Sequence, residues 1–218
     1  AYGRTAVGGE RGVTPDTLFQ AASMSKAVAA AGALRLVEQG RLALDEDVNA
    51  KLRAWRVPEV GPGAGGEKVT LRRLLSHTAG LSLEGYPGYP AGAAVPTIVR
   101  SLSGEPPSNT PGVRLVDTPG TKFSYSGGGY SVAQILMTET AGTGFASLMR
   151  RLVLSPAGMT RSSFEQPFPP NARRSFASGH DVNGQAVPGG GHVYPEQAAA
   201  GLWTTPSDYA RFLIALQN

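Results

Sequence analysis

No cysteine occurs in these 218 residues, so no disulfide staples the fold and either redox compartment suits it. A run of about 18 apolar residues is missing as well, which argues against a membrane-spanning helix. Charged residues make up only 17%, and the +4 balance comes from scattered arginines rather than a basic stripe. Arg72-Arg73, Arg150-Arg151 and Arg173-Arg174 therefore read as solvated faces, and no nucleic-acid partner is expected. Histidine is scarce: His180 and His192 sit in glycine-rich loops without ligand spacing, so no metal site is expected. Repeats and low-complexity tracts are absent. What remains is a chain 41% hydrophobic and long enough to bury one core, which fits a single domain over residues 1–218.

The most informative stretch is Ser23-Met24-Ser25-Lys26, which opens a segment rich in Ala, Leu and Val. Residues i and i+3 share a helix face, so the Ser23 hydroxyl and the Lys26 amine can meet. A serine hydroxyl is a weak nucleophile until something takes its proton, and a lysine placed beside it is a possible base. The apolar run 27–31 offers the desolvated setting such a lysine needs. At a helix start, free backbone N–H groups also favour negative charge on a tetrahedral intermediate. With four lysines in the chain, about 0.3 chance matches to S-x-x-K are expected, so the pattern alone reads equally as a capping serine and a solvated lysine.

A second segment, Gly120-Thr121-Lys122-Phe123-Ser124-Tyr125-Ser126-Gly127-Gly128-Gly129-Tyr130, supplies the context. Together the two segments resemble the serine β-lactamase and penicillin-binding protein superfamily, in particular its class C β-lactamase and family VIII carboxylesterase branch. Further matching pieces follow in the family's order: Leu36-Val37-Glu38-Gln39-Gly40-Arg41-Leu42, Leu74-Leu75-Ser76-His77-Thr78-Ala79-Gly80-Leu81, Pro156-Ala157-Gly158-Met159 and Ala200-Gly201-Leu202-Trp203-Thr204-Thr205. The resemblance implies an α+β fold of the β-lactamase/transpeptidase type, a helical subdomain with an antiparallel sheet. It implies Ser23 as the acylated nucleophile, Lys26 as its hydrogen-bonded partner and Tyr125 as the second proton carrier, within reach of Lys26. Gly127, Ala200 and Gly201 would line the substrate pocket. His77 would be a structural residue at a helix end rather than the base of a triad with Ser23. Location in the periplasm or outside the cell is implied by the same analogy, which leaves the cytoplasm open.

Two departures from the family pattern bear on function. Gly127 stands where the commonest pattern has an asparagine that contacts a substrate amide, and a glycine there is expected to leave room. The Lys/His-x-Gly strand motif does not follow residues 206–218, and residues 1–8 read as the end of an opening hairpin. The expectation is a domain incomplete at both ends, with sheet strands missing and supplied by a remaining C-terminal segment or a second chain. The implied activity is two-step acyl transfer on small esters or amides without metal or organic cofactor. Esterase or general hydrolase ranks first, β-lactamase second and D-amino-peptide hydrolase third. A catalytically dead binding module is the alternative of another class.

Helices are predicted over 23–40, 130–141 and 144–154, and a short amphipathic one over 45–56. Gly40 would stop the first, with Leu34 and Val37 facing the core. Thr70 would cap a helix over 71–76, and Thr205 or Ser207 a last one reaching 217. Residues 61–66 read as a loop, 81–119 as a lid or cleft wall holding Tyr86, Pro87 and Tyr89, and 155–199 as loop-rich. Trp203 reads as core.

Overall fold

The computed structural model describes residues 1–61, 65–168 and 176–217. Arg173-Arg174 and part of the 61–66 loop lie outside the described residues. The chain starts with a tight hairpin in which Arg4 bridges Gly12, then enters strand β1, Phe19–Gln20. A single 3-10 turn, Ala22–Met24, leads from β1 into helix α1, Ser25–Glu38. α1 ends where Gly40 takes a φ of 68° and its N–H bonds the Val37 carbonyl, as its sequence predicted.

Helices α2 (Leu71–Leu75), α3 (Ile98–Ser103), α4 (Gly127–Ala141) and α5 (Phe145–Met149) follow, and α5 runs on into a π-helical turn, Arg150–Leu154. Helix α6 (Gln197–Ala200), strand β2 (Trp203–Thr204) and helix α7 (Pro206–Gln217) close the described chain. Thr70 caps α2 by accepting from the Arg73 N–H, and Thr205 accepts from the Asp208 N–H at the start of α7. The sheet is antiparallel and two-stranded, pairing Phe19 with Thr204 and Gln20 with Trp203.

α4 is the central element, buried over most of its length and packed on α1, α2, α3, α5 and α6. It starts three residues earlier than expected, so the glycine triplet forms its first turn under the Ser126 cap. Each glycine costs a helix about 1 kcal/mol relative to alanine. Packing demands it here, because a Cβ on Gly128 would strike the Ser82 carbonyl and the Val113 side chain. Gly32 serves α1 likewise, with Met149 and Met137 against it. The main core spans α1, α4, α5 and their connections, and a smaller cluster joins Leu18, Phe168 and Trp203, with Phe176 against it.

Two expectations need correction. Residues 45–56 form only a 3-10 turn, Val48–Ala50. The Asn49 side chain diverts that segment, accepting from the Val57 N–H and donating to the Val57 carbonyl. Leu34 is 48% exposed on α1 and does not face the core, whereas Val37 packs against it. The stretch 81–119 contains α3 and is pinned to the opposite wall, where Tyr89 and Val193 exchange both backbone hydrogen bonds. None of the described helices is long and apolar enough to cross a membrane.

Candidate active site

Ser23 lies in the 3-10 turn ahead of α1 rather than in the α-helix proper. Three residues per turn set i and i+3 in line, which places Lys26 directly beneath Ser23. The turn is anchored from below by Ser25, whose buried hydroxyl donates to the Ala22 carbonyl and accepts from the Leu202 N–H. Ala21 bonds Leu202 in return, so the sheet and the turn form one rigid support. Ser23 itself is exposed and free to meet a ligand.

Lys26 is 6% exposed and donates two hydrogen bonds, to Ser23 Oγ at 3.0 Å and to the Ala199 carbonyl at 2.8 Å. Two tyrosine rings flank its amine, Tyr125 at 5.0 Å and Tyr130 at 5.8 Å. Their phenols differ. Burial raises the Tyr125 phenol, but hydrogen bonds with Lys26 and Ser23 and the Lys26 charge outweigh it, leaving the group below its ordinary value despite a small opposing push from Glu84. Burial and the neighbouring Tyr125 push Tyr130 up to about 12, and its hydroxyl is committed to the Leu75 carbonyl. Of the two, only Tyr125 is both exposed, at 37%, and lowered in proton affinity.

His77 shapes this arrangement without touching Ser23. Its ring stacks on Tyr125 at 4.3 Å, and its Nδ1 accepts from the Ser126 N–H at 3.0 Å. A ring nitrogen that accepts is unprotonated, and burial plus the Lys26 charge lower the affinity of His77 for a second proton, against a weaker pull from Ser126. Among the described residues, non-glycine residues with positive φ occur at Ala22 (44°), His77 (59°) and Leu83 (65°). All three border the site: Ala22 precedes Ser23, His77 carries Tyr125, and the Leu83 carbonyl accepts from the Gly128 N–H. Strain concentrated at one place is the signature of a site held by its surroundings.

The structure thus brings Ser23, Lys26 and Tyr125 together and treats the pocket residues differently. Gly127 is buried and leaves little room, because the Glu84 carbonyl, Gly85 and the Tyr86 ring stand close to where a side chain would begin. The wall 81–119 crowds it, which a local reading could not anticipate. Ala200 and Gly201 are buried, and the residue of α6 that reaches the site is Ala199, through its carbonyl. A backbone acceptor carries no mark in sequence beyond lying next to Ala200. Ser25 was equally invisible, being an unspecified position of the S-x-x-K pattern. Among the described residues no cluster of three or more His, Cys, Asp or Glu is placed to hold a metal ion.

The Beta-lactamase family model matches residues 1–218. Protein Rv1367c of Mycobacterium tuberculosis is 30% identical over 224 residues, covering 91% of this chain and 53% of its own. The chain spans about half the length of the curated relatives it matches. A β-lactamase/D-alanine carboxypeptidase from Yersinia pestis superposes with a TM-score of 0.74 at 22% identity, over 97% of this chain and 57% of that one. The hydrolase EstCE1, described as having promiscuous acyltransferase activity, gives 0.74 at 22%, over 99% and 62%. The fold is therefore β-lactamase/transpeptidase-like, and with the family model running from the first residue to the last, the chain belongs to the Beta-lactamase family.

Proposed function

We propose that the protein is a serine hydrolase that forms a covalent acyl-enzyme on Ser23 with small esters or amides. The observation that carries this reading is the shared contact of an exposed serine hydroxyl with a buried amine at 3.0 Å and with a phenol of lowered proton affinity. Lys26 donates to both of its partners in this arrangement, which suits it to stabilise a phenolate at Tyr125. Tyr125 then takes the Ser23 proton as Oγ attacks the substrate carbonyl. The proton passes to the leaving alcohol or amine as its bond to the acyl carbon breaks. Water enters next, gives a proton to Tyr125 and attacks the acyl carbon, and Ser23 recovers its proton as the acid departs.

Esterase-type substrates rank above β-lactams. An asparagine amide that would contact a substrate amide is absent at 127. The Lys/His-x-Gly strand that the family uses beside this site is not found within residues 1–218. Incubation of the full-length protein with p-nitrophenyl butyrate and with nitrocefin tests the reading. Faster turnover of the ester, lost in Ser23→Ala, is expected. Turnover unaffected by that substitution would refute the nucleophile, and faster turnover of nitrocefin would refute the substrate ranking.

A further inference from the structure

The least explained group in the fold is Glu196. Its carboxyl is fully buried, at 0% exposure, in a chain whose proposed chemistry does not use it. One oxygen, Oε1, accepts from the buried Ser101 hydroxyl on α3. The other, Oε2, is buried without a partner, and the buried Tyr86 hydroxyl, set against that of Ser131, lies within reach of the Glu196 charge. No arginine, lysine or histidine pairs with Glu196 among the described residues, and the titratable groups that act on it or feel it are Tyr86 and Tyr194. An ionised carboxylate with one bare oxygen in this setting would be strongly disfavoured. A protonated one no longer carries a charge on that bare oxygen, and its O–H becomes a donor instead. Burial acts in the same direction, raising the carboxyl above its ordinary value, with the Ser101 bond and a bond from the residue's own backbone N–H opposing.

Position gives this acid a consequence. Glu196 immediately precedes α6, and its own carbonyl accepts from the Ala199 and Ala200 N–H groups. The Ala199 carbonyl on that single turn accepts from Lys26 Nζ. Gln134 of α4 fixes the turn from the side, accepting from the Ala198 N–H and donating to the Pro195 carbonyl. The Tyr86 ring lies against Gly127, at the start of α4 and two residues from Tyr125. One buried carboxyl therefore ties the start of α6 to α3.

We propose that Glu196 is a positioning residue, a buried neutral acid that clamps α6 to α3 and so holds the Ala199 carbonyl against Lys26. It acts through Lys26 and never meets substrate. The acyl-transfer consequence rests on the reading of Ser23, Lys26 and Tyr125 given above, whereas the protonation state and the Lys26 contact do not.

The test uses the full-length protein and the variants E196Q, E196A and S101A. Glutamine reproduces the shape and the donor of a neutral acid, so E196Q acylates within about threefold of wild type. E196A and S101A lose about tenfold or more in acylation rate with KM little changed, as expected for a misplaced contact to a charged amine. Rescue by glutamine separates a neutral clamp from an ionised one, since E196Q falling as far as E196A would overturn the proposal. Two readouts need no turnover. In a 13C-glutamate-labelled sample, one carboxyl signal absent from E196Q stays protonated at pH 6. The Lys26 amine is modified by trinitrobenzenesulfonate, mapped by mass spectrometry, faster in E196A than in wild type or E196Q. A Glu196 signal that titrates near the ordinary glutamate range, or Lys26 reactivity equal in all four proteins, also refutes the clamp. If wild type forms no acyl-enzyme, the functional reading fails while these two readouts still decide the clamp.

Discussion

Replacing Lys26 by methionine keeps most of the side-chain volume and removes the charge. In the structure the amine donates at 3.0 Å to Ser23 Oγ and lies 5.0 Å from the centre of the Tyr125 ring. A unit charge at 5.0 Å stabilises a phenolate by about 3 kcal/mol at an effective dielectric of 20. Tyr125 is 37% exposed, and solvent screening reduces this to roughly half. The hydrogen bond to Ser23 Oγ adds about 1.5 kcal/mol, because its donor is charged. The sum, about 3 kcal/mol, corresponds to a fall of roughly a hundredfold in acylation rate. The assay is the pre-steady-state burst of p-nitrophenol from p-nitrophenyl butyrate, with thermal unfolding run alongside to show that the variant folds. The methionine leaves the Ala199 carbonyl without its partner but also relieves a buried charge, so the melting temperature should move little. A folded Lys26→Met protein with a burst rate within threefold of wild type would refute the assignment of Lys26.

Other perturbations test the supports of the site. His77 is neutral when folded and binds a proton more readily once unfolded. The unfolded state therefore takes up more protons as pH falls below the ordinary histidine value of about 6.5, and stability declines there. Thermal melts from pH 7.5 to 5 should show that decline in wild type and a shallower one in His77→Gln; equal slopes would contradict it. Gly80 has a φ of 69° and a Cβ there would collide with the Asp117 carbonyl, whereas Gly142 has a φ of 64° and open space around it. Gly142→Ala should cost about 1 kcal/mol of backbone strain and Gly80→Ala several times that, measured by urea unfolding. Asp208 is fully buried and accepts from the Arg161 N–H, the Ser162 hydroxyl and Arg211 Nη1. Asp208→Ala strands those donors and should lose about 3 kcal/mol in the same experiment, while a loss below 1 kcal/mol would show that the network carries little.

Sequence made the chemistry more legible than the walls around it. Ser23 and Lys26 are local, since a three-residue spacing is shared by any helical turn that could carry them. Helix ends announced by Thr70 and Gly40 are local too, and they appear where expected. The glycine triplet misled because its reason lies forty residues away, in the wall that lies against its first turn. Asn49 turned a segment with helical patterning into a loop by bonding the Val57 backbone at both ends, a choice no periodicity encodes. Leu34 fits the helical period yet faces outward, lining a groove with Ala215 and Leu216 of α7. Ala199 contributes a carbonyl and Ser25 an anchor, and neither role depends on a side chain that stands out in the sequence.

The central claim is that Ser23 becomes acylated. Intact mass of the full-length protein should be recorded before and after incubation with a fluorophosphonate, followed by peptide mapping and a parallel Ser23→Ala sample. One adduct per chain, mapped to Ser23 and absent from the variant, is the predicted result. A folded protein that forms no adduct, or carries it on a different residue, would contradict the account.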